Sequence, residues 1–314
     1  MQPTFILSCE STIDLPYSYV QERELPVLFY SYSVDGEAHV DDMGRDPQSL
    51  PRFYQYIADG KLPSTSQLNE AQYEDFFAPL LEQGDVLHIA FGSGMTASVQ
   101  NAKLAAEVLR EKYPERKLGV IDSLCSSSGY GLLVDAAADM RDAGKSLDET
   151  AEWVTANCNK VHHQFYSTEL KFYRRSGRMS GATATIATIL DICPIMRLDD
   201  KGKIIAYGKV RGKKNAVKET IRTMEQHAQS GVNYSGKCFI CHSNCPAEAE
   251  ATRQAVAEHF PQIQGDIRVN EIGTIIASVP MEVPTITRVT PTSRAMRMMN
   301  GMDRTMLTIL SRML

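Results

Sequence analysis

No apolar run in this chain approaches the ~18 residues that a membrane-spanning helix needs. A basic excess is missing too. The net charge is −5 over 314 residues, whereas a nucleic-acid-binding domain is expected to be basic. The N-terminus has no basic segment ahead of a long apolar core, so no secretory signal is expected there. There is no low-complexity linker and no internal repeat. A G-x-G-x-x-G fingerprint is absent, which leaves dinucleotide binding weakly supported. Ser93 lies between glycines, but the full G-x-S-x-G elbow is not there. None of the seven histidines has a local acid partner that would suggest a catalytic triad. Seven cysteines, an odd number scattered along the chain, read as reduced thiols in a cytoplasmic protein.

What remains has ordinary globular composition, with 43% hydrophobic and 23% charged residues. Through about residue 160 strands alternate with helices. Residues 5–8, 27–32, 86–91 and 118–121 read as strands, and Asp35-Gly36 is a turn signal. Tyr73, Phe76, Phe77, Leu80 and Leu81 form a helical stripe, as do Val99, Ala102, Ala106 and Leu109. Ser146 and Glu149 make a capping box ahead of Trp153. This alternation predicts an α/β fold, a mainly parallel sheet with helices on both faces. Ligands on such sheets bind beyond the carboxyl ends of the strands.

From about residue 162 the texture changes. A hairpin is expected over 194–207, a helix over 182–190, and further helices over 214–227 and 246–259. These predict a second, α+β domain. The expected division is 1–161, 162–280 and an atypical tail, 281–314. That tail holds seven of the fourteen methionines and shows no clean period over 285–294. A short helix fits 302–314.

Two hydroxyl-rich loops carry the functional signal. They are Pro63-Ser64-Thr65-Ser66-Gln67 and Gly92-Ser93-Gly94-Met95-Thr96-Ala97-Ser98. Each precedes an amphipathic stretch, and helix N-termini present unpaired N–H groups to anions. Together they suit a small acidic head group. The plainer alternative is that Thr65 or Ser66, and Thr96 or Ser98, only cap their helices, worth about 1 kcal/mol each.

Two other clusters have bland alternatives as well. Cys238, Cys241, His242 and Cys245 suit zinc by residue type. Cys238 and Cys241, three apart in a strand, would however face opposite sides, as small core residues do. Between Lys171 and Lys214 eleven basic residues stand against three aspartates. They would steer an acidic partner or form a solvated face.

Several segments in order resemble the DegV family of bacterial fatty-acid-binding proteins. Glu10-Ser11-Thr12-Ile13-Asp14-Leu15-Pro16 is similar to its D-S-x-x-D-L-P start, with Glu10 in place of the aspartate. Thr65-Ser66-Gln67 matches its T-S-Q loop, and Met95-Thr96-Ala97-Ser98 stands where the family has L-S-G-T. Val120-Ile121-Asp122-Ser123, Gly177-Arg178-Met179-Ser180, residues 209–214 and Ile272-Gly273-Thr274 fit later blocks. The resemblance spans residues 4–278.

The resemblance implies two α/β domains with an acyl chain in a tunnel between them. It implies a carrier rather than an enzyme, with no catalytic residue, metal or cofactor of its own. The carrier would present its fatty acid to a separate fatty acid kinase subunit, and the acyl-phosphate would enter phospholipid synthesis. A transient membrane or acyltransferase contact fits that role; nucleic acid does not. Thr65 and Thr96 match the positions that hold the carboxylate, with Ser66 beside them. Arg178 and Arg211 match family arginines near the head group or the partner surface.

The sequence departs from the family after residue 278. The family continues with H-x-G-P-G, whose histidine helps hold the head group; here the residues are Val279-Pro280-Met281-Glu282. Codons for Val279 to Pro284, read one frame over, can encode Ser-His-Gly-Gly-Pro. A frameshift near residue 279 would therefore account for both the lost motif and the tail. Two alternatives to a working carrier stay open from the sequence. One is an enzyme acting on a small carboxylated or phosphorylated metabolite. The other is a carrier that has lost its function with its ending.

Overall fold

The computed structural model describes residues 4–167, 192–263 and 267–278, and the backbone of 285–289. Arg178, the 177–180 block, and the helices expected over 182–190 and 302–314 lie outside the described residues.

The chain opens with β1 (Ile6–Glu10), α1 (Tyr17–Glu22) and β2 (Val27–Leu28). Next come β3 (Ser31–Val34), β4 (Glu37–Val40), α2 (Ser49–Ala58), β5 (Ser64–Ser66) and α3 (Glu70–Gln83). β6 (Val86–Ala90), α4 (Ser98–Lys112), β7 (Leu118–Asp122), α5 (Ser127–Asp142) and α6 (Leu147–Asn157) follow. Strands β2-β1-β6-β7, in that order, form a parallel sheet. Every residue of β6 is buried, as expected of a strand covered on both faces. A smaller antiparallel sheet, β4-β3-β5, sits apart from it. Asp35 and Gly36 both take positive φ at the β3–β4 hairpin, which suits the right-handed twist of the strands they join.

The second half contributes β8 (Val161–Tyr166), β9 (Ile192–Leu198), β10 (Ile204–Arg211) and α7 (Lys213–His227). It continues through β11 (Cys238–His242), α8 (Pro246–His259), β12 (Ile267–Glu271), α9 (Thr274–Ala277) and β13 (Thr285–Val289). Their sheet has the order β10-β9-β8-β13-β11-β12. The small-residue helix α5 touches β1 of the first sheet and β8, β11 and β13 of the second. Its Gly129, Gly131 and Ala136 to Ala138 are buried, and the lack of bulk there lets both sheets approach. The principal apolar cluster accordingly runs from Leu7 and Phe91 through Leu133 to Phe239 and Ile275.

Four expectations change. The stretch 27–32 is not one strand: β2 pairs with β1, then the chain turns at Tyr30 and β3 joins another sheet. Thr65 and Ser66 cap no helix. They lie in β5, paired with Tyr32 and Ser31, while Asn69 and Gln72 form the capping box of α3. Thr96 is displaced from the cap position: Ala97 occupies the N-cap of α4 without a side-chain bond, and Thr96 Oγ1, one residue before it, accepts from the N–H of Ser98, the first residue of the helix. The tail was expected to supply no closing strand, yet residues 285–289 are hydrogen-bonded to β8 on one side and β11 on the other. Tertiary pairing, not local pattern, makes that strand.

The cysteine cluster packs as core. Cys238 and Ile240 join one apolar cluster, Phe239 and Cys241 the other, so the two thiols do face opposite sides of β11.

Candidate functional site

A cavity of about 360 Å³ lies at the carboxyl end of the parallel sheet, between it and the second sheet. Its lining includes the hydroxyl residues Thr65, Ser66 and Thr96. Thr65 and Thr96 are half-buried, and Ser66 and Ala97 are exposed, so the cavity reaches the surface beside them. The apolar lining comes from Phe91, Met95, Phe165, Leu198, Ile204, Ile275 and Ile276. No Asp, Glu, Lys or Arg lines it among the described residues.

The two hydroxyl loops are joined by side chains. Ser98 Oγ accepts a hydrogen bond from the Leu68 N–H at 3.0 Å, and Asn101 donates to the Leu68 carbonyl at 2.7 Å. Thr96 Oγ1 lies 2.9 Å from Ser98 Oγ and accepts from the Ser98 N–H at 3.2 Å. Thr65, on a strand, and Thr96, just before a helix, are thus held as one constellation. Gly94 has a packing reason: a Cβ there would meet the Gly202 carbonyl at 2.2 Å. The loop is pressed against the β9–β10 turn. Ser93 is exposed, and its N–H donates to Asp122 at 3.0 Å.

Sequence reasoning missed Tyr30, Ser126, Ser127 and His163, all of which line the cavity. His163 Nε2 accepts from the Ser126 N–H at 3.3 Å, so Nδ1 carries the proton and donates to the Val161 carbonyl at 3.1 Å. Burial pushes its pKa down to about 4, against the pull of the bond to the Val161 carbonyl. The ring is therefore neutral near pH 7. Ser127 Oγ donates to the buried Asp14, whose pKa burial pushes up to about 8. Asp14 also accepts from the Gly273 N–H at 2.9 Å, and Asp41 accepts from the Thr274 hydroxyl at 2.9 Å. These two carboxyls hold the Gly273-Thr274 turn that places Ile275 and Ile276 in the cavity wall. A glycine opposite His163 was the one local signal: Gly129 leaves the room its ring fills.

Arg211 ends β10, exposed and outside the cavity lining. Among the described residues no group of three His, Cys, Asp or Glu is placed to hold a metal ion. No helix among them is long and apolar enough to cross a membrane.

A family model described as "Uncharacterised protein, DegV family" matches residues 6–279. The chain belongs to the DegV family. A DegV domain-containing protein of Clostridium perfringens is 32% identical over 277 residues, covering 87% of this chain and 93% of that one. Solved DegV structures share the fold. One, described by its fatty acid binding, is from Thermus thermophilus: TM-score 0.78, 24% identity, 90% of this chain and 98% of that one. Another is the Fatty Acid Kinase B3 protein of Streptococcus pneumoniae, loaded with linoleic acid. It has a TM-score of 0.76 at 20% identity, covering 90% of this chain and 98% of that one. The DegV match ends at residue 279.

Proposed function

We propose that this DegV chain is a cytoplasmic carrier of a long-chain fatty acid that performs no chemistry itself. It presents the carboxylate to a separate kinase subunit, which supplies nucleotide and metal and forms the acyl-phosphate used in phospholipid synthesis. The observation that carries the reading is the cavity's lining: a half-buried to exposed hydroxyl group of Thr65, Ser66 and Thr96, a wall of seven apolar side chains, and no Asp, Glu, Lys or Arg among the described residues. Each buried CH₂ returns roughly 0.8 kcal/mol. A buried carboxylate is costly unless hydrogen-bonded, and Thr65 and Thr96 supply donors, with Ser66 beside them. A phosphorylated metabolite would call instead for cationic or bidentate partners.

The exposure beside these hydroxyls leaves the head group within a partner's reach. Arg211, exposed at the end of β10, is assigned to the partner surface, and Arg178 to the head group or that surface. Boundaries near 161 and 280 are proposed for the two domains, with the acyl tunnel between them.

Native mass spectrometry of the purified protein, followed by lipid extraction, tests the reading. A co-purified long-chain fatty acid is expected. An empty protein that turns over a small carboxylated metabolite refutes it.

A further inference from the structure

Three consecutive serines stand at the N-terminus of α5, and their hydroxyls have different fates. Ser127 Oγ donates to Asp14 and lies 3.2 Å from Cys241 Sγ. Ser128 is fully buried and outside the cavity lining. Ser126 is the N-cap of α5, in extended backbone, yet its side chain makes no cap bond. Serine at that position ordinarily accepts from an N–H of the first turn. Here only the backbone of Ser126 is engaged. Its N–H donates to His163 Nε2, and its carbonyl accepts from the Gly129 N–H at 3.1 Å. The hydroxyl has no hydrogen-bond partner among the described residues. Ser126 is half-buried, while Cys125 and Ser127 on either side are only 1% and 2% exposed. Since Ser126 lines the cavity, the surface it keeps is cavity surface. His163 faces the same space but brings no free polar atom, because both of its nitrogens are bonded to backbone.

We propose that Ser126 is a specificity residue of the acyl cavity, and that the carrier takes fatty acids bearing a hydroxyl on the chain. The head-group hydroxyls stand on β5 and on the loop before α4, whereas Ser126 stands on the loop after β7, bonded to β8. No hydrogen bond joins the two sets among the described residues. A plain acyl chain laid over Ser126 strips water from its hydroxyl and returns no bond, which opposes binding. A hydroxyl on the chain is both donor and acceptor, as serine is, so each satisfies the other. No Lys or Arg lines the cavity among the described residues, so a neutral hydroxyl is matched there and a second charge is not. This inference rests on the carrier reading and narrows the class of fatty acid it carries.

The experiment compares the affinities of stearic acid and of hydroxystearic acids, their hydroxyl stepped along the chain, for the full-length protein freed of lipid. The wild type is expected to bind one positional isomer about tenfold more tightly than stearic acid. Ser126→Ala should abolish that preference, by weakening the hydroxy acid and tightening stearic acid. A purely structural role for Ser126 would weaken both ligands alike. Ser126→Thr keeps the hydroxyl and should keep the preference. Ser126→Cys, whose thiol is a weak donor, should lose it, and decides the matter if Ser126→Ala does not fold. A wild type that binds every isomer no better than stearic acid, as it would if water satisfied Ser126, overturns the inference and leaves the carrier standing. A preference unchanged in Ser126→Ala does the same. A wild type that binds none of these acids overturns the carrier reading and this inference with it.

Discussion

The His163 ring occupies the space that a side chain on Gly129 would need: a Cβ there would lie 2.0 Å from Nε2. The ring is hydrogen-bonded to backbone through both nitrogens, so it cannot withdraw without losing those bonds. Gly129→Ala should therefore cost about 1–3 kcal/mol, in the range of overpacked cores. Chemical denaturation measures the loss, which should exceed any gain from the better helix propensity of alanine.

His163 also sets a pH dependence. Its pKa of about 4 in the folded protein lies below the ~6.5 of an unfolded histidine. Between these values the unfolded chain takes up a proton that the folded one refuses, so stability falls as pH drops from ~6.5 toward 4. His163→Asn removes this titration. Its stability deficit relative to wild type at pH 7 should shrink by about 3 kcal/mol by pH 4, measured by denaturant melts across the range.

Asp14 acts in the opposite sense. Burial raises its pKa to about 8, against the bonds from Ser127 and Gly273 and with some help from Asp41. The folded protein thus keeps a proton that the unfolded chain has lost above ~4. Stability through this group falls as pH rises from ~4 to 8. Asparagine keeps the shape of the neutral acid at every pH. Asp14→Asn should gain stability relative to wild type between pH 5 and pH 8; a constant difference would show that Asp14 is ionised throughout.

The parallel sheet was legible because apolar runs of strand length alternate with helical stripes, as at the fully buried Val86–Ala90 and the largely half-buried Leu118–Asp122. The box of Ser146 and Glu149 was legible because capping is local. β5 was not: Ser64–Ser66 has no apolar residue, and its strand exists only through pairing with β3. Residues 285–289 likewise become a strand by filling a slot between β8 and β11. For the site, the family blocks pointed to Thr65, Ser66 and Thr96, all of which line the cavity. The layer behind them escaped notice because no spacing relates Glu10 to Tyr73 and His88, 63 and 78 positions away. Only the adjacency of β1 and β6 brings Glu10 and His88 together.

The two threonines provide the sharpest test of the cradle. Valine matches threonine in shape and removes only the hydroxyl. Thr65→Val and Thr96→Val should each weaken fatty-acid binding about tenfold, the worth of one hydrogen bond to a charged group. They differ in what else they touch. Thr96 Oγ1 accepts from the Ser98 N–H, so Thr96→Val also loosens the start of α4 and should lower thermal stability. Thr65 stands on β5, held by backbone pairing to Tyr32, and its loss should leave stability nearly unchanged. Titration with a fatty acid beside a thermal melt separates the two effects. Unchanged affinity in both variants would remove the pair from the head-group site.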